Sequence, residues 1–393
     1  MRNWVKRKSK AVKVLLFLTI FLLGFYFRGE NLLAAEKEED TEFSYVDSWL
    51  DSCDLGAVNE GMDSLFPGIS IDAKTLLQMI LHGQAGEAFS MLAEGIKEAL
   101  LGELSGLKNI FIYILLLGVI SAVFSEFSDL FAGGQIAQAG FYFLYLFLMV
   151  ILTKVFLFLS DIAGGAIENI TLFIKLFIPT YFTVVGAASG TAAAVYYYQL
   201  MLVIAYLVES LLKAVLIPLI YSYVMLALLN GLWSEERLTL LLDFIEKGIG
   251  FALKAALGAV TGLSLVQAVI MPVINNLKIS TMRKALSAIP GVGGVAEGVT
   301  ELMLGSAVLI KNSMGVLLLV LLFGALLLPL LKIAAVTAVV KLGAAITGIV
   351  SDKRISECAD RVGRGGFLLL RCVFTSAALF IIVIAVVSVT VSP

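Results

Sequence analysis

The residues of this sequence that could carry chemistry are charged side chains placed inside or beside long apolar runs. The clearest pair is Glu209 and Lys213, because a spacing of four residues places both on one face of a helix. The spacing predicts an intramembrane ion pair, for which a structural role and a transport role are equal alternatives. Lysines near the ends of apolar runs are expected to extend their ammonium groups to the membrane surface: Lys154, Lys175, Lys254, Lys332 and Lys341.

A second set of candidates lies in a glycine-rich seam, residues 287–315, with the sequence SAIPGVGGVAEGVTELMLGSAVLIKNSMG. The step from Gly294 to Gly298 is the small-xxx-small pattern that lets membrane helices approach closely. We interpret the seam as a surface that packs against another helix or lines a polar path. Its candidate residues are Gly294, Glu297, Gly298, Glu301, Gly305 and Lys311.

Two other interpretations of the glycine-rich seam stay open. Gly291, Gly293 and Ala296 match a relaxed dinucleotide-binding fingerprint, but that pattern counts only after a strand of a βαβ unit, and here it follows a basic loop. The glycines also fit a connector at the membrane surface, since glycine is more frequent in membrane helices than in soluble ones and need not mark a packing surface.

Motifs of enzymes are missing from the sequence, which contains no HExxH, GxSxG or P-loop pattern. The three cysteines, Cys53, Cys358 and Cys372, have no metal-binding spacing, and the single histidine, His82, is interpreted as a solvated residue at a helix end. We therefore predict that the protein is not an enzyme and has no catalytic, cofactor-binding or metal-binding residues.

Composition predicts the environment of these candidates. Of the 393 residues, 60% are hydrophobic and only 15% are charged, whereas charged residues make up about 25% of a soluble domain. Long apolar runs favour helices over a barrel, whose strands would alternate. The fold class is therefore all-α, a polytopic helical membrane protein, and a net charge of -2 predicts no binding to nucleic acid.

The first 109 residues are expected to precede the membrane domain. Residues 1–35 have a basic cluster followed by an apolar run, as in a secretory signal peptide or an uncleaved signal anchor. Residues 36–109 are predicted to form a small extracytoplasmic region of amphipathic helices, with apolar residues at helical intervals such as Leu76 and Ile80. Asp72 is the expected start of one of these helices.

Residues 110–393 form the predicted multi-pass transmembrane domain, for which about six to eight spans are expected. Asp161 and Glu168 are expected to border a short solvated connector between two of its apolar blocks. The seven blocks are 110–124, which is short for a span, and 139–159, 171–188, 196–229, 249–271, 313–340 and 367–391.

Basic connectors predict the orientation of these spans, since cytoplasmic loops are enriched in lysine and arginine. Segments 275–284 and 351–366 both carry such clusters and are expected in the cytoplasm. One crossing between them would place them on opposite sides. A segment 290–310 that also enters the bilayer would return both loops to one side. The rival topologies are a double crossing within 196–229 and a first block that does not span.

The glycine-rich seam and the closing stretch ISECADRVGRGGFLLLRCVF, together with the signal-like start and the acidic outer region, resemble the stage III sporulation protein AE family of endospore-forming bacteria. The resemblance covers nearly the whole chain. It implies a polytopic protein of the mother-cell membrane around the forespore, and a role in a channel or secretion-like complex that is needed for sporulation after engulfment.

The same resemblance implies the partners. They are other membrane proteins of the stage III sporulation operon, including a secretion-type ATPase and ring-forming proteins, and a forespore protein that meets them across the intermembrane space. The alternative function is a stand-alone secondary transporter, which prolines close to charged residues favour: Pro179 beside Lys175, Pro218 after Glu209 and Lys213, and Pro329 beside Lys332.

Overall fold

Every element that the structure describes is a helix. The computed structural model describes residues 72–81, 134–189, 203–232, 237–286, 293–350 and 353–390, with short pieces between 84 and 120. Side chains are described mainly over 139–175, 203–232, 237–263, 315–349 and 353–384. The helices are α1 (Ala73–Leu81), α2 (Gly134–Ser189), α3 (Val203–Asn230), α4 (Thr239–Leu286), α5 (Gly293–Val350) and α6 (Lys353–Thr390). The all-α prediction is confirmed.

Helix α1 begins at the predicted start signal. The Asp72 carboxylate accepts hydrogen bonds from the backbone N–H of Thr75 at 3.2 Å and from its hydroxyl at 3.1 Å, so it caps the first turn. Leu76 and Ile80 are buried, and they lie one helical turn apart on the face toward the bundle. The amphipathic pattern is thereby confirmed for α1, which packs against α5.

Helix α2 runs without a break for 56 residues and joins two of the predicted blocks, 139–159 and 171–188. The expected solvated connector between Asp161 and Glu168 is therefore wrong, because both residues lie within the helix. Two central glycines cost the helix about 1 kcal/mol each, whereas neighbours such as Ala163 and Ile167 are completely buried. Burial of that face outweighs the weak local signal for a break.

Helix α5 contains residues 293–315 of the glycine-rich seam and continues to Val350 without a turn. A separate crossing by 290–310 is therefore wrong, since the chain does not reverse before the apolar block 313–340. Helix α3 is likewise continuous over Val203–Asn230, so a double crossing within this described part of 196–229 is also wrong. The remaining alternative, that the first block (110–124) does not span the membrane, stays a prediction.

The predicted basic connector 351–366 is also wrong in its local structure, because α6 already begins at Lys353. Its charges have partners nearby. Lys353 pairs with Glu357 at 3.3 Å and Arg364 pairs with Asp360 at 3.0 Å, both one turn apart. The side of the membrane on which this segment lies stays a prediction.

Helices α5 and α6 form an antiparallel hairpin. Ser356 Oγ donates a hydrogen bond to the carbonyl oxygen of Ala344, Lys341 pairs with Asp360, and a Cβ atom added at Gly366 would meet Thr337. In successive contacts between the two helices, the residue numbers of α5 decrease while those of α6 increase, so the helices run in opposite directions. Residues 351–352, which join the two helices in sequence, lie outside the described residues.

Four helices are long and apolar enough to cross a membrane: Ala139–Lys175, Val203–Asn230, Gly315–Ile349 and Lys353–Ile384. Only the described residues bear on this finding. In the last of them, 61% of the most apolar window is buried, against 28% to 44% in the other three. Helix α6 is therefore the central helix, and α2, α3, α4 and α5 all pack against it.

Close packing of α6 depends on its glycines. A Cβ atom added at Gly365 would overlap the side chain of Val224 and meet Phe156 at 3.2 Å, so that α3 and α2 lie directly against the α6 backbone. A larger residue at this position would push the helices apart. The stretch 355–374, which contains this contact, is thus the packing centre of the described bundle.

Candidate functional site

Ionisable side chains contact other residues in several places along α6. The first is a charge cluster formed by Lys341 of α5, Asp360 and Arg364 of α6, and Glu246 of α4. Lys341 Nζ lies 2.6 Å from Asp360 Oδ1, and Arg364 Nε lies 3.0 Å from Asp360 Oδ2. Arg364 Nη1 also lies 3.9 Å from Glu246 Oε2. Two positive and two negative groups therefore balance within the cluster.

Tyr223 connects the charge cluster to a further helix. Its hydroxyl donates a hydrogen bond to Glu246 Oε2 at 3.4 Å, so that side chains of α3, α4, α5 and α6 all take part. The side chains of Lys341, Asp360 and Arg364 are each more than a third exposed. The ion pairs are therefore only partly buried, and the cluster fixes the relative position of the helices more than it stabilises them.

A buried tyrosine holds three helices together close to the charge cluster. Tyr145 of α2 is completely buried, and its hydroxyl donates a hydrogen bond to the carbonyl oxygen of Leu228 at 2.7 Å. The same hydroxyl lies 3.1 Å from Cys358 Sγ of α6. A Cβ atom at Gly231 would overlap the Tyr145 hydroxyl, which explains the glycine at the end of α3.

A small recess opens beside this tyrosine. It is too small for a substrate, since its interior of about 10 Å³ suits a single water molecule. Arg354 is one of its lining residues, and its guanidinium carbon lies 3.7 Å from the centre of the Phe141 ring, a cation–π contact. Its lining residues are Ala227, Asn230, Gly231, Arg354, Glu357, Cys358 and Arg361.

The second place is a buried carboxyl site, formed by Glu209 of α3 and Ser376 of α6. Glu209 is 1% exposed and Ser376 is 0% exposed. The Ser376 hydroxyl lies 2.6 Å from both Oε1 and Oε2 of Glu209. Cys372 lies one turn before Ser376 on the same helix and is also buried.

The expected Glu209–Lys213 ion pair is wrong, because each residue has another partner in the structure. Lys213 Nζ lies 3.2 Å from Glu168 Oε2 of α2, where the two side chains are 47% and 68% exposed. The reason is local. Residues Leu212–Leu216 form a π-helical turn, whose wider hydrogen-bonding pattern breaks the ideal spacing of four that the prediction assumed.

The other predicted candidates have mixed outcomes. The seam residues Gly294, Glu297, Gly298, Glu301, Gly305 and Lys311 all lie in α5, but their side chains lie outside the part that the structure describes, so their packing or pore-lining role stays a prediction. Lys154, Lys175 and Lys254 are exposed, and their extension toward the membrane surface stays a prediction. Lys341 instead takes part in the charge cluster.

Several residues of these sites were missed at the level of sequence. Asp360 and Arg364 are one turn apart, and this spacing would have indicated a pair if 351–366 had been assigned as helix. Tyr145, Tyr223 and Ser376 carry no comparable signal, since their partners lie on other helices, at sequence separations of 83, 23 and 167 residues. Among the described residues, no three His, Cys, Asp or Glu side chains lie close enough to hold a metal ion.

Comparison with known proteins gives one consistent result. A family described as stage III sporulation protein AE matches residues 71–391. The chain is also similar to stage III sporulation protein AE of Bacillus subtilis (strain 168), with 21% identity over 223 residues. That match covers 56% of each chain, so the aligned part spans little more than half of the relative's length. No solved structure matches the chain.

Proposed function

Because the chain belongs to the stage III sporulation protein AE family, we propose that it is a membrane subunit of a channel or secretion-like complex that links mother cell and forespore after engulfment. The observation that carries the proposal is the extent of the family match, 71–391, which includes the whole described bundle. The complex would lie in the mother-cell membrane that surrounds the forespore. Its other subunits would be membrane proteins of the same operon, with a secretion-type ATPase, ring-forming proteins and a forespore partner.

The described bundle supports a role in assembly. The ionisable groups along α6 have partners within the chain, namely other charges in the charge cluster and a hydroxyl at the buried carboxyl site. The recess beside Tyr145 accepts a water-sized group only. These features are typical of a subunit that acts through contacts with other proteins, and they do not favour a stand-alone transporter.

Co-purification tests the proposal. The chromosomal gene of the native endospore former is replaced by a tagged copy, and the protein is isolated in mild detergent after engulfment. We expect the ATPase and the ring-forming proteins to be recovered with it, and we expect tagged cells to sporulate normally. Recovery of the protein alone from cells that sporulate normally would contradict a complex.

A variant of the glycine-rich seam sharpens this test. In Gly298→Leu, the added side chain blocks the close approach that the seam is predicted to allow, so we expect loss of co-purification and of sporulation with unchanged membrane insertion. Gly298→Ala is the matched control, since alanine keeps a small residue there. Normal sporulation of Gly298→Leu would disprove the packing role of the seam.

A further inference from the structure

The buried carboxyl site has an unusual hydrogen-bonding geometry. One hydroxyl oxygen, Ser376 Oγ, lies 2.6 Å from both carboxyl oxygens of Glu209. Both distances lie within the range of O–H···O hydrogen bonds. A serine hydroxyl has one hydrogen atom, which an ionised carboxylate would have to share between its two oxygens in a three-centre bond.

The two states of the carboxyl group differ in the number of hydrogen atoms available to these contacts. An ionised carboxylate only accepts hydrogen bonds, so the single Ser376 hydrogen would be divided between both oxygens, which weakens each bond. A protonated Glu209 donates from one oxygen to Ser376 Oγ, while the Ser376 hydroxyl donates to the other oxygen. Both contacts are then hydrogen bonds, in a cyclic arrangement.

The charges around the site also favour a protonated Glu209. Lys213, the nearest cation in sequence, is paired with Glu168 of α2 at the surface of the bundle. From α6, the titratable group that faces Glu209 is the thiol of Cys372, which is neutral or negative and therefore does not compensate a carboxylate. An uncompensated charge in a buried apolar site is costly, whereas a neutral, hydrogen-bonded carboxyl group is not.

The position of the site in the fold suggests what the proton would do. Glu209 and Ser376 lie on different helices, both long and apolar enough to span a membrane. The π-helical turn Leu212–Leu216 begins within one turn of Glu209, and it packs against α6. Short π-helical segments are frequent at functional sites, where the irregular turn lets a helix change its local register.

We propose that Glu209 and Ser376 form a proton-binding site within the membrane. The bound proton completes the cyclic hydrogen bonds that hold α3 against α6, and its release leaves a carboxylate that separates the two helices at the π-helical turn. The ligand is a proton rather than a metal cation, because direct contacts of 2.6 Å leave no space for an ion between the carboxyl group and the hydroxyl. The site belongs to this chain alone and is tested without partner proteins.

Infrared spectroscopy provides the deciding measurement. The full-length protein is reconstituted at neutral pH in vesicles of phosphatidylethanolamine and phosphatidylglycerol. We expect the carbonyl band of a protonated carboxyl group in the wild-type spectrum and its loss in Glu209→Gln. In Ser376→Ala the band is expected at higher frequency, because the carboxyl group keeps its proton and loses its hydrogen-bond partner. Identical carboxyl bands in wild type and Glu209→Gln would overturn the proposal.

Chemical labelling adds an independent readout with an internal control. A hydrophobic carbodiimide adds to a protonated carboxyl group, and rearrangement leaves a stable N-acylurea that contains all atoms of both reactants. At neutral pH we expect Glu209 to be labelled more than about tenfold above Glu168, an exposed carboxylate, since ordinary glutamates are ionised there. Labelling that sodium ions suppress at constant pH would overturn the proposal in favour of a cation site.

Discussion

The charge cluster and the buried carboxyl site, both along α6, place ionisable groups in different surroundings. In the charge cluster, Asp360 has two cationic partners, Lys341 and Arg364, and all three side chains are partly exposed. At the buried carboxyl site, Glu209 has a single hydroxyl partner and almost no exposure. The difference teaches that one helix bundle places opposite charges together where side chains are partly exposed, and a hydrogen-bonded carboxyl group with no counter-ion where the site is fully buried.

Gly365 lies between the two sites on α6, and its replacement is expected to have the largest effect. In Gly365→Ala the new Cβ atom overlaps Val224 and presses on Phe156, so overpacking should cost about 1 to 3 kcal/mol in the free energy of unfolding and should disturb both sites together. Denaturant unfolding of the purified protein in detergent measures this loss.

Gly164→Ala is the matched control, because nothing lies within 4 Å of a Cβ atom added at this position in α2. It should stabilise the helix by about 0.5 to 1 kcal/mol, since alanine loses less conformational freedom than glycine on folding. Equal changes in stability for the two variants would show that the contact of Gly365 with α2 and α3 is not tight.

Asp360→Asn tests the charge cluster and should have an intermediate effect. The change leaves Lys341 and Arg364 close together without their shared carboxylate. We expect a loss of about 1 kcal/mol, since partial exposure screens the repulsion, and a smaller loss at high salt. A double-mutant cycle with Lys341→Met isolates the pairwise part. A loss that does not depend on salt would contradict an ionic role.

Glu209→Gln tests the buried carboxyl site and should have the smallest effect on stability. The amide group has one donor and one acceptor toward Ser376, as a protonated carboxyl group does. We expect a change below about 0.5 kcal/mol that salt does not alter, in contrast to Asp360→Asn. A loss as large and as salt-dependent as that of Asp360→Asn would show that the native group is an ion, and the contrast between the two sites would fail.

The sequence was informative where a signal is local. The Asp72 cap and the apolar spacing of Leu76 and Ile80 predict α1, and both features depend only on neighbouring residues. High hydropathy predicts membrane helices for the same reason. The closing stretch was recognised by its resemblance to a family, but its glycines did not by themselves show that it is the packing centre of the described bundle.

Local signals failed where distant contacts decide. The charges of Asp161 and Glu168 indicated a connector between two helices. Burial of Ala163 and Ile167 against other helices instead keeps α2 continuous. The basic residues of 351–366 indicated a loop, whereas their partners across the bundle and along the helix place most of this stretch in α6. Charge patterns alone do not distinguish solvated loops from helices with compensated charges.

The sequence by itself determined that this protein is helical, that it enters a membrane and that it belongs to a sporulation family, because apolar composition and family-specific stretches are properties of the linear chain. Only the tertiary structure decided the partners of its ionisable groups. Glu209 faces Ser376, 167 residues away in sequence, and a single π-helical turn places Lys213 toward Glu168 instead. Helical spacing predicts which residues share a face, whereas the packing of other helices against that face determines which partner each residue meets.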